Sequence, residues 1–433
     1  MRLVHVTTHR RERTDRGGGG RALLLLLALA PGLWQCTAAE RRPAPQPAAV
    51  AAPGSWRPAP ELQRLVDPYP AVVGPSWLGA DVATSVRLTD DHYLWLFGDT
   101  LLGSVRTDCE GGAAYCDRVA AADGFIANSI GVMTRDLDGS FFPLVKYWRT
   151  IDGVPAPIFA AEDEDEFLWP LAGLVVGTKL LVTTTRQTRE AGLASHGNVL
   201  VIVENPEDPP YEWRYGRHEI PHVVPSAGGA DESAALSWAT ALVRQGEYVY
   251  LFGSRGGATD GATPVARFPV SEELGDGAPL RPSYLQRGER GELVWTRSFD
   301  ASRLVTLEGL PGTSEATIDR DGSGTWESFQ IAALEFDVRR FRAARLLGPW
   351  RDDGVVYEIP APWSAPRPEG ETGFAAYAAK SHPELAAPGG GVVSYNVNVA
   401  FGTLEEAIEA LETTNGFYVP QLIASPPTAT LRP

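Results

Sequence analysis

Basic side chains are scarce: 38 Lys and Arg stand against 54 Asp and Glu in 433 residues, a formal net charge of −16. A polyanion would meet net repulsion, and no Lys/Arg block occurs beyond the N-terminus, so the chain is not expected to bind nucleic acid. Cysteine is nearly absent, with three residues, and none stands with partners at metal-ligand spacing; no metal site is expected. No HExxH, Walker loop, GxSxG or Rossmann fingerprint is present. That removes zincins, P-loop enzymes, common serine hydrolases and dinucleotide enzymes. The apolar run from Ala22 to Ala30 is too short to span a membrane.

The same run follows Arg10, Arg11, Arg13, Arg16 and Arg21, the order of a signal peptide, and predicts export of a chain whose residues 1–38 are a targeting segment. Cys36, after Leu33-Trp34-Gln35, resembles the modified cysteine of a bacterial lipobox, although Gln35 departs from the usual small residue. Lipidation of Cys36 and plain cleavage after Ala38 or Ala39 are the two alternatives, and a lipid anchor would be the only tie to a membrane. In an oxidising compartment Cys109 and Cys116, with residues 110–115 between them, are expected to pair. Residues 39–62 are rich in Pro and Ala and read as a linker, and 63–433 as one domain without a second linker. The acidic run Glu162 to Glu166 reads as a solvated loop and Asp319 to Gly324 as a hairpin turn rather than a calcium loop.

What the chain has in abundance is turn residues, 45 Gly and 35 Pro, between short alternating apolar segments. HYLWLFGDT (92–100) and EYVYLFGSR (247–255) share one pattern, and further units begin near Trp169, Ser314 and Ala378. Each unit is a strand, a turn and a second apolar strand, the turns being Thr89-Asp90-Asp91, Arg244-Gln245-Gly246 and Asp321-Gly322-Ser323-Gly324. Five such units predict an all-β fold, a five-bladed β-propeller in a single domain. Helical patterning is confined to short pieces such as Leu404 to Glu412.

In that architecture the start of each innermost strand and the end of the next strand line one central pocket. Asp81, Trp169, Trp238, Glu315, Lys380 and His382 occupy the starts, and Asp99, Arg186, Arg255, Asn396 and Asn398 the ends. Carboxylates for acid–base work, Arg and Asn for hydroxyls and indoles for a ring face suit a sugar. If the Thr89–Asp91 loop has an odd number of residues, Asp81 lies across from Asp99 and Ser85 across from Trp95; an even loop separates the two acids. Two carboxylates in one desolvated site raise one pKa, leaving a proton donor beside a base or nucleophile. Glu315 supplies a third acid.

The combination of Gly79-Ala80-Asp81, WLFGDT (95–100), Trp169-Pro170, YLFGSR (250–255), Ser314-Glu315, AAKSHPEL (378–385) and SYNVN (394–398) resembles a bacterial propeller family, long of unknown function, that includes endo-D-arabinanases. The match spans about residues 65 to 420. The resemblance implies a fold related to arabinanases, xylosidases and invertases. It also implies cleavage of a furanosidic, arabinan-like polysaccharide through Asp81 and Asp99, with Glu315 as third acid or substrate ligand. No cofactor is called for, and a monomer is expected. Two other classes compete: a non-catalytic sugar-binding propeller at the cell surface, and a protein-binding scaffold with its acids paired to arginines.

Overall fold

The computed structural model describes residues 56–426 apart from 70, 72–73, 107–115, 189–194, 224–234, 257–260, 272–277, 333–334, 366–372 and 400–416. The targeting segment, Cys36, Cys109 and the helical patch Leu404 to Glu412 lie outside the described residues, as does the side chain of Cys116. The chain is nearly all β, and its strands pair antiparallel throughout. Five of its sheets carry four or more strands.

Their first strands are Thr84–Arg87, Glu166–Val176, Leu236–Gln245, Asp319–Arg320 and Phe374–Ser381. The repeat near Trp169 falls in the second of these, that near Ser314 leads into the fourth, and Ala378 lies in the fifth. The predicted turns join first to second strands. Arg87 pairs with Tyr93, Gln245 with Tyr248 and Arg320 with Trp326, and Gly246 and Gly324 take the left-handed φ of +60° and +84° that these turns require. In the last turn the Asp321 carboxylate accepts the Ser323 and Thr325 amides at 2.9 and 3.0 Å, the geometry of a hairpin stop.

Apolar alternation along these strands places a separate core between each sheet and the next. Leu96 and Ile130 meet Leu168 and Val182 between the first and second; Leu200 meets Trp238 and Leu251 between the second and third. Phe252 meets Trp326 and Phe341, Phe329 meets Phe374 and Val393, and Val392 meets Trp77 and Trp95. Each fully buried Leu, Val or Phe contributes about 1.5–3 kcal/mol.

Polar side chains tie the same neighbours. Thr84 Oγ1 donates to Leu171 O at 2.8 Å, Thr183 Oγ1 to Ala239 O at 3.0 Å and Thr240 Oγ1 to Thr313 O at 2.9 Å. Ser381 N donates to Thr317 Oγ1 at 2.8 Å, and Ser85 Oγ bonds His382 Nδ1 at 2.7 Å.

Four of the first strands, or the segments leading into them, are irregular. Val82 and Ala83 take positive φ of 67° and 51°, and ladder register shifts occur at Pro170/Ala172, Ser237/Ala241 and Tyr377/Lys380. Such bulges free a carbonyl and re-aim a side chain. Val82, Leu171 and Ala239, one from each of three of these irregularities, meet in a small buried cluster of their own.

The fifth sheet takes strands from both ends of the described chain, because Arg57–Pro58 pairs with Gln421–Ser425. This corrects the expected linker of 39–62: folded structure starts by Trp56, whose ring packs 5.2 Å from Phe329, and the boundary at 62/63 would cut the helix Pro60–Val66. Pro60 suits the first turn of that helix, and Leu62, Leu65 and Val66 form its apolar face. Gln63 seals the strand edge, donating to Pro420 O and accepting from Leu422 N, both at 2.9 Å. Gln63→Ala leaves both backbone groups without these partners and is expected to cost about 1–3 kcal/mol. Urea unfolding midpoints measure it, and an unchanged midpoint would show that this seam does not matter.

Candidate active site

The backbone decides where the acids go. Thr84 pairs with Leu96 and Ala80 with Thr100, so the hairpin keeps one register through the break between them, and Asp81 stands across from Asp99. The loop between Arg87 and Tyr93 is odd, residues 88–92, and Ser85 faces Trp95. Asp81 N donates to Asp99 O at 3.4 Å and Gly98 N to Asp81 O at 3.1 Å.

Two glycines of the sequence motifs exist for this arrangement. A Cβ at Gly98 would clash with the Asp81 carboxylate and the Val82 side chain, and one at Gly79 would strike the Tyr418 carbonyl. The Asp81 carboxylate is thus folded down onto Gly98, while Tyr377 and Tyr418 donate to its Oδ2 at 3.2 and 3.4 Å. Asn396 Nδ2 holds the preceding carbonyl of Ala80 at 3.0 Å. Val82, a β-branched residue at positive φ, marks the site as strained, as functional backbones often are.

Asp99 is buried, and the indole Nε1 of Trp169 donates to its Oδ1 at 2.6 Å. Glu315 arrives from the segment leading into the fourth sheet, and its Oε2 has no hydrogen-bond partner among the described residues. Asp81, Trp169, Glu315 and Tyr377 all keep some contact with solvent, so the cluster is open to a ligand.

Burial is the first reason that Asp81 is held well above its ordinary value of 3.8; the charges of Asp99 and Glu315 add to it, and the two tyrosine hydroxyls only partly oppose them. Burial also pushes Glu315 up, and the Lys380 ammonium pulls it back. Burial, joined by the Asp81 and Glu315 charges, keeps the Tyr377 hydroxyl protonated far above the usual phenol range, so it acts as a donor.

Of the other residues expected to bind substrate, Trp169 is at the site and Asn398 adjoins it through Tyr377. The rest are placed differently. Trp238 is fully buried in the core against Tyr284, with its amide on Asn198 Oδ1 at 2.6 Å, and shows no face to a ligand. His382 is also buried, its two nitrogens engaged by Ser85 and Ser394 and its ring stacked on Trp95 at 4.4 Å; burial drives its pKa down to about 3, so it is neutral.

Arg186 pairs with Glu219 at 2.7 Å and Glu166 at 3.6 Å, and Arg255 donates to Ala301 O at 3.0 Å. Lys380 is buried and bonds backbone carbonyls. Asn396 is buried and serves the backbone that carries Asp81. Tyr377 and Tyr418 were not expected from sequence. Tyr377 adjoins AAKSHPEL, but the bulge hides the alternation that would have aimed it, and Tyr418 lies in no repeat.

A cavity of about 450 Å³ opens at the opposite, turn end of the inner strands, lined by Leu174, Leu242, Arg244, Ile318, Arg320 and Trp326 among others. None of the three clustered acids lines it.

The model of one protein family, described as a domain of unknown function (DUF5005), matches residues 72–423. No curated protein matches the chain. Among solved structures, a Bacteroides ovatus ATCC 8483 protein whose description as a hydrolase is provisional is similar over 80% of this chain and 86% of its own, at 16% identity and a TM-score of 0.57. RS223-β-xylosidase is similar over 81% and 94%, at 11% identity and a TM-score of 0.41. An exo-1,5-α-L-arabinanase from a bovine ruminal metagenomic library is similar over 74% and 88%, at 11% identity and a TM-score of 0.36. The first of these likenesses is one of fold.

Because the raised pKa of Asp81 means that the native state prefers its proton, the stability it lends is full below its unfolded value of 3.8 and is lost as pH rises through the folded value. Asp81→Asn, which keeps an acceptor for both tyrosines, is therefore expected to raise the melting temperature at neutral pH, the gain shrinking towards about pH 4. Melting temperatures across that range check it; a mutant less stable at every pH would contradict the charge crowding.

Proposed function

This chain belongs to the DUF5005 family, and we propose that it is an exported glycoside hydrolase, a five-bladed propeller that cleaves a furanosidic, arabinan-like polysaccharide by acid–base catalysis. One observation carries the catalytic part: Asp81, Asp99 and Glu315 crowd together so that Asp81 is driven to keep its proton beside the other two. Five sheets, five intervening cores and five inter-sheet hydrogen bonds that return to the first sheet through Ser85 and His382 support the propeller. The fold shared with a protein described provisionally as a hydrolase agrees with this reading. The furanosidic substrate rests on the motif resemblance, and export on residues 1–38.

In this mechanism Asp81 is the general acid. Its proton goes to the glycosidic oxygen as the C–O bond breaks, and the leaving hydroxyl departs neutral. Glu315, which enters from another sheet than the Asp81–Asp99 hairpin, is the base or nucleophile at the anomeric carbon. Asp99 raises the proton affinity of Asp81, and Trp169 fixes Asp99 while offering its ring to the apolar face of a sugar. Tyr377 and Tyr418 orient the acid.

The test is incubation of the purified chain with arabinans and galactans, scored by released reducing ends. Asp81→Asn is expected to lower turnover of polysaccharide by about 10²–10⁴-fold. Most of that loss should be recovered on an aryl furanoside whose leaving group needs no proton, whereas Glu315→Gln should be impaired on both substrates. Glycan binding with no reducing ends released by the wild type would replace the enzyme by a sugar-binding propeller; full activity of Asp81→Asn would remove it from the mechanism.

A further inference from the structure

Lys380 is a fully buried cation that no substrate-binding role explains. Its direction comes from the bulge in Phe374–Ser381. Tyr377 pairs with Asn396 and Lys380 with Ser394, so three residue steps on one strand match two on the other, and Ala378 absorbs the difference at a φ of +53°. Regular alternation would send Tyr377 and Lys380 to opposite faces; with the extra residue both share the face of Asn396 and Ser394. One strand thereby delivers a hydroxyl to Asp81 and an ammonium to the neighbourhood of Glu315.

The ammonium is fixed by other sheets. Lys380 Nζ donates to Leu171 O at 3.0 Å, a carbonyl released by the Pro170/Ala172 bulge, and to Ala316 O at 3.2 Å, the residue after Glu315. The charged or titratable groups acting on it are Glu315, Asp319 and His382. His382 is neutral, and Asp319 is occupied by the Ser381 and Thr317 hydroxyls. Of the two carboxylates acting on Lys380, Glu315 keeps a buried oxygen that lacks a hydrogen-bond partner among the described residues; Glu384 Oε1, also without one, lies 3.9 Å from His382 Nδ1. The Glu315 charge is also felt by Asp81 and Tyr377.

We propose that Lys380 is the positioning residue for Glu315: anchored on the Leu171 carbonyl, its ammonium holds the Ala316 carbonyl, and with it the backbone that carries Glu315 into the cluster, and places the Glu315 carboxyl in its positive field. This deepens the reading of Glu315 as the base and rests on it for its catalytic meaning. Burial lowers Lys380 to about 8 while the charges of Glu315 and Asp319 resist the fall, and the same ammonium opposes the upward push of burial on Glu315. Removing the cation would leave crowded carboxylates to take up a further proton.

Carbon-13 NMR of protein labelled at the glutamate carboxyl carbon reads the proposal without any substrate, Glu315→Gln identifying the resonance. Lys380→Met is expected to raise the Glu315 midpoint by about one pH unit or more, a tenfold change in acid constant, and Lys380→Arg to return it towards wild type. Should Lys380→Met not fold, the reciprocal measurement serves: in near-isosteric Glu315→Gln the nitrogen-15 resonance of Lys380 should titrate at lower pH than in the wild type. A Glu315 midpoint unmoved by loss of the cation, or a Lys380 midpoint unmoved by loss of the carboxylate, would overturn it. These shifts without glycan cleavage would sink the hydrolase reading alone, and cleavage without the shifts would sink this inference alone.

Discussion

Carboxylates that cannot all ionise in one desolvated place are the constraint on which this molecule turns. Asp81 lies on Gly98, across the hairpin from Asp99 and within the field of Glu315, and two tyrosine hydroxyls complete its shell. Such a cluster disfavours its own charge, so it persists only if the surroundings are rigid enough to hold it. Cores between the five larger sheets, and a fifth sheet sewn from both ends of the described chain, supply that rigidity.

Regular β-structure alone could not have made the site. Alternation places every second side chain on one face, whereas the cluster needs Asp81, Tyr377 and Lys380 aimed at positions that this period does not provide. The left-handed Val82–Ala83 pair and the bulges at Pro170/Ala172, Ser237/Ala241 and Tyr377/Lys380 supply the exceptions. Three of the carbonyls in these irregular stretches are used at once: Ala80 O by Asn396, Leu171 O by Thr84 and Lys380, and Ala239 O by Thr183. Strain that positions chemistry therefore also joins sheet to sheet.

This double use explains which residues change role between sequence and structure. Trp238, His382, Asn396 and Lys380 have the chemistry of ligand-binding groups and sit at the expected ends of strands. Buried strand ends nevertheless carry polar groups that must be satisfied, and these side chains are spent on them, the Trp238 indole donating to His222 O. Arg186 is held in ion pairs with Glu166 and Glu219, at the edge of the run Glu162 to Glu166 that reads as solvated loop. A residue type states what it can bond, and only its neighbours state whether that capacity is already used.

The sequence by itself determined the inner strand pairs and their turns, because a period of two is a local quantity, and left the Asp81–Asp99 register hanging on whether the hairpin loop is odd; the pairing of Arg87 with Tyr93 and of Ser85 with Trp95 decided that in the structure. Gly79 and Gly98 stand in the sequence motifs, and only the contacts of the fold give their reason. Tertiary structure alone decided that Tyr377 and Tyr418 hold Asp81, that Lys380 is buried on the Leu171 and Ala316 carbonyls and that folded structure starts by Trp56 rather than after residue 62. Those facts depend on contacts between residues hundreds of positions apart and on bulges that break the local period, and neither leaves a trace in a single strand's pattern.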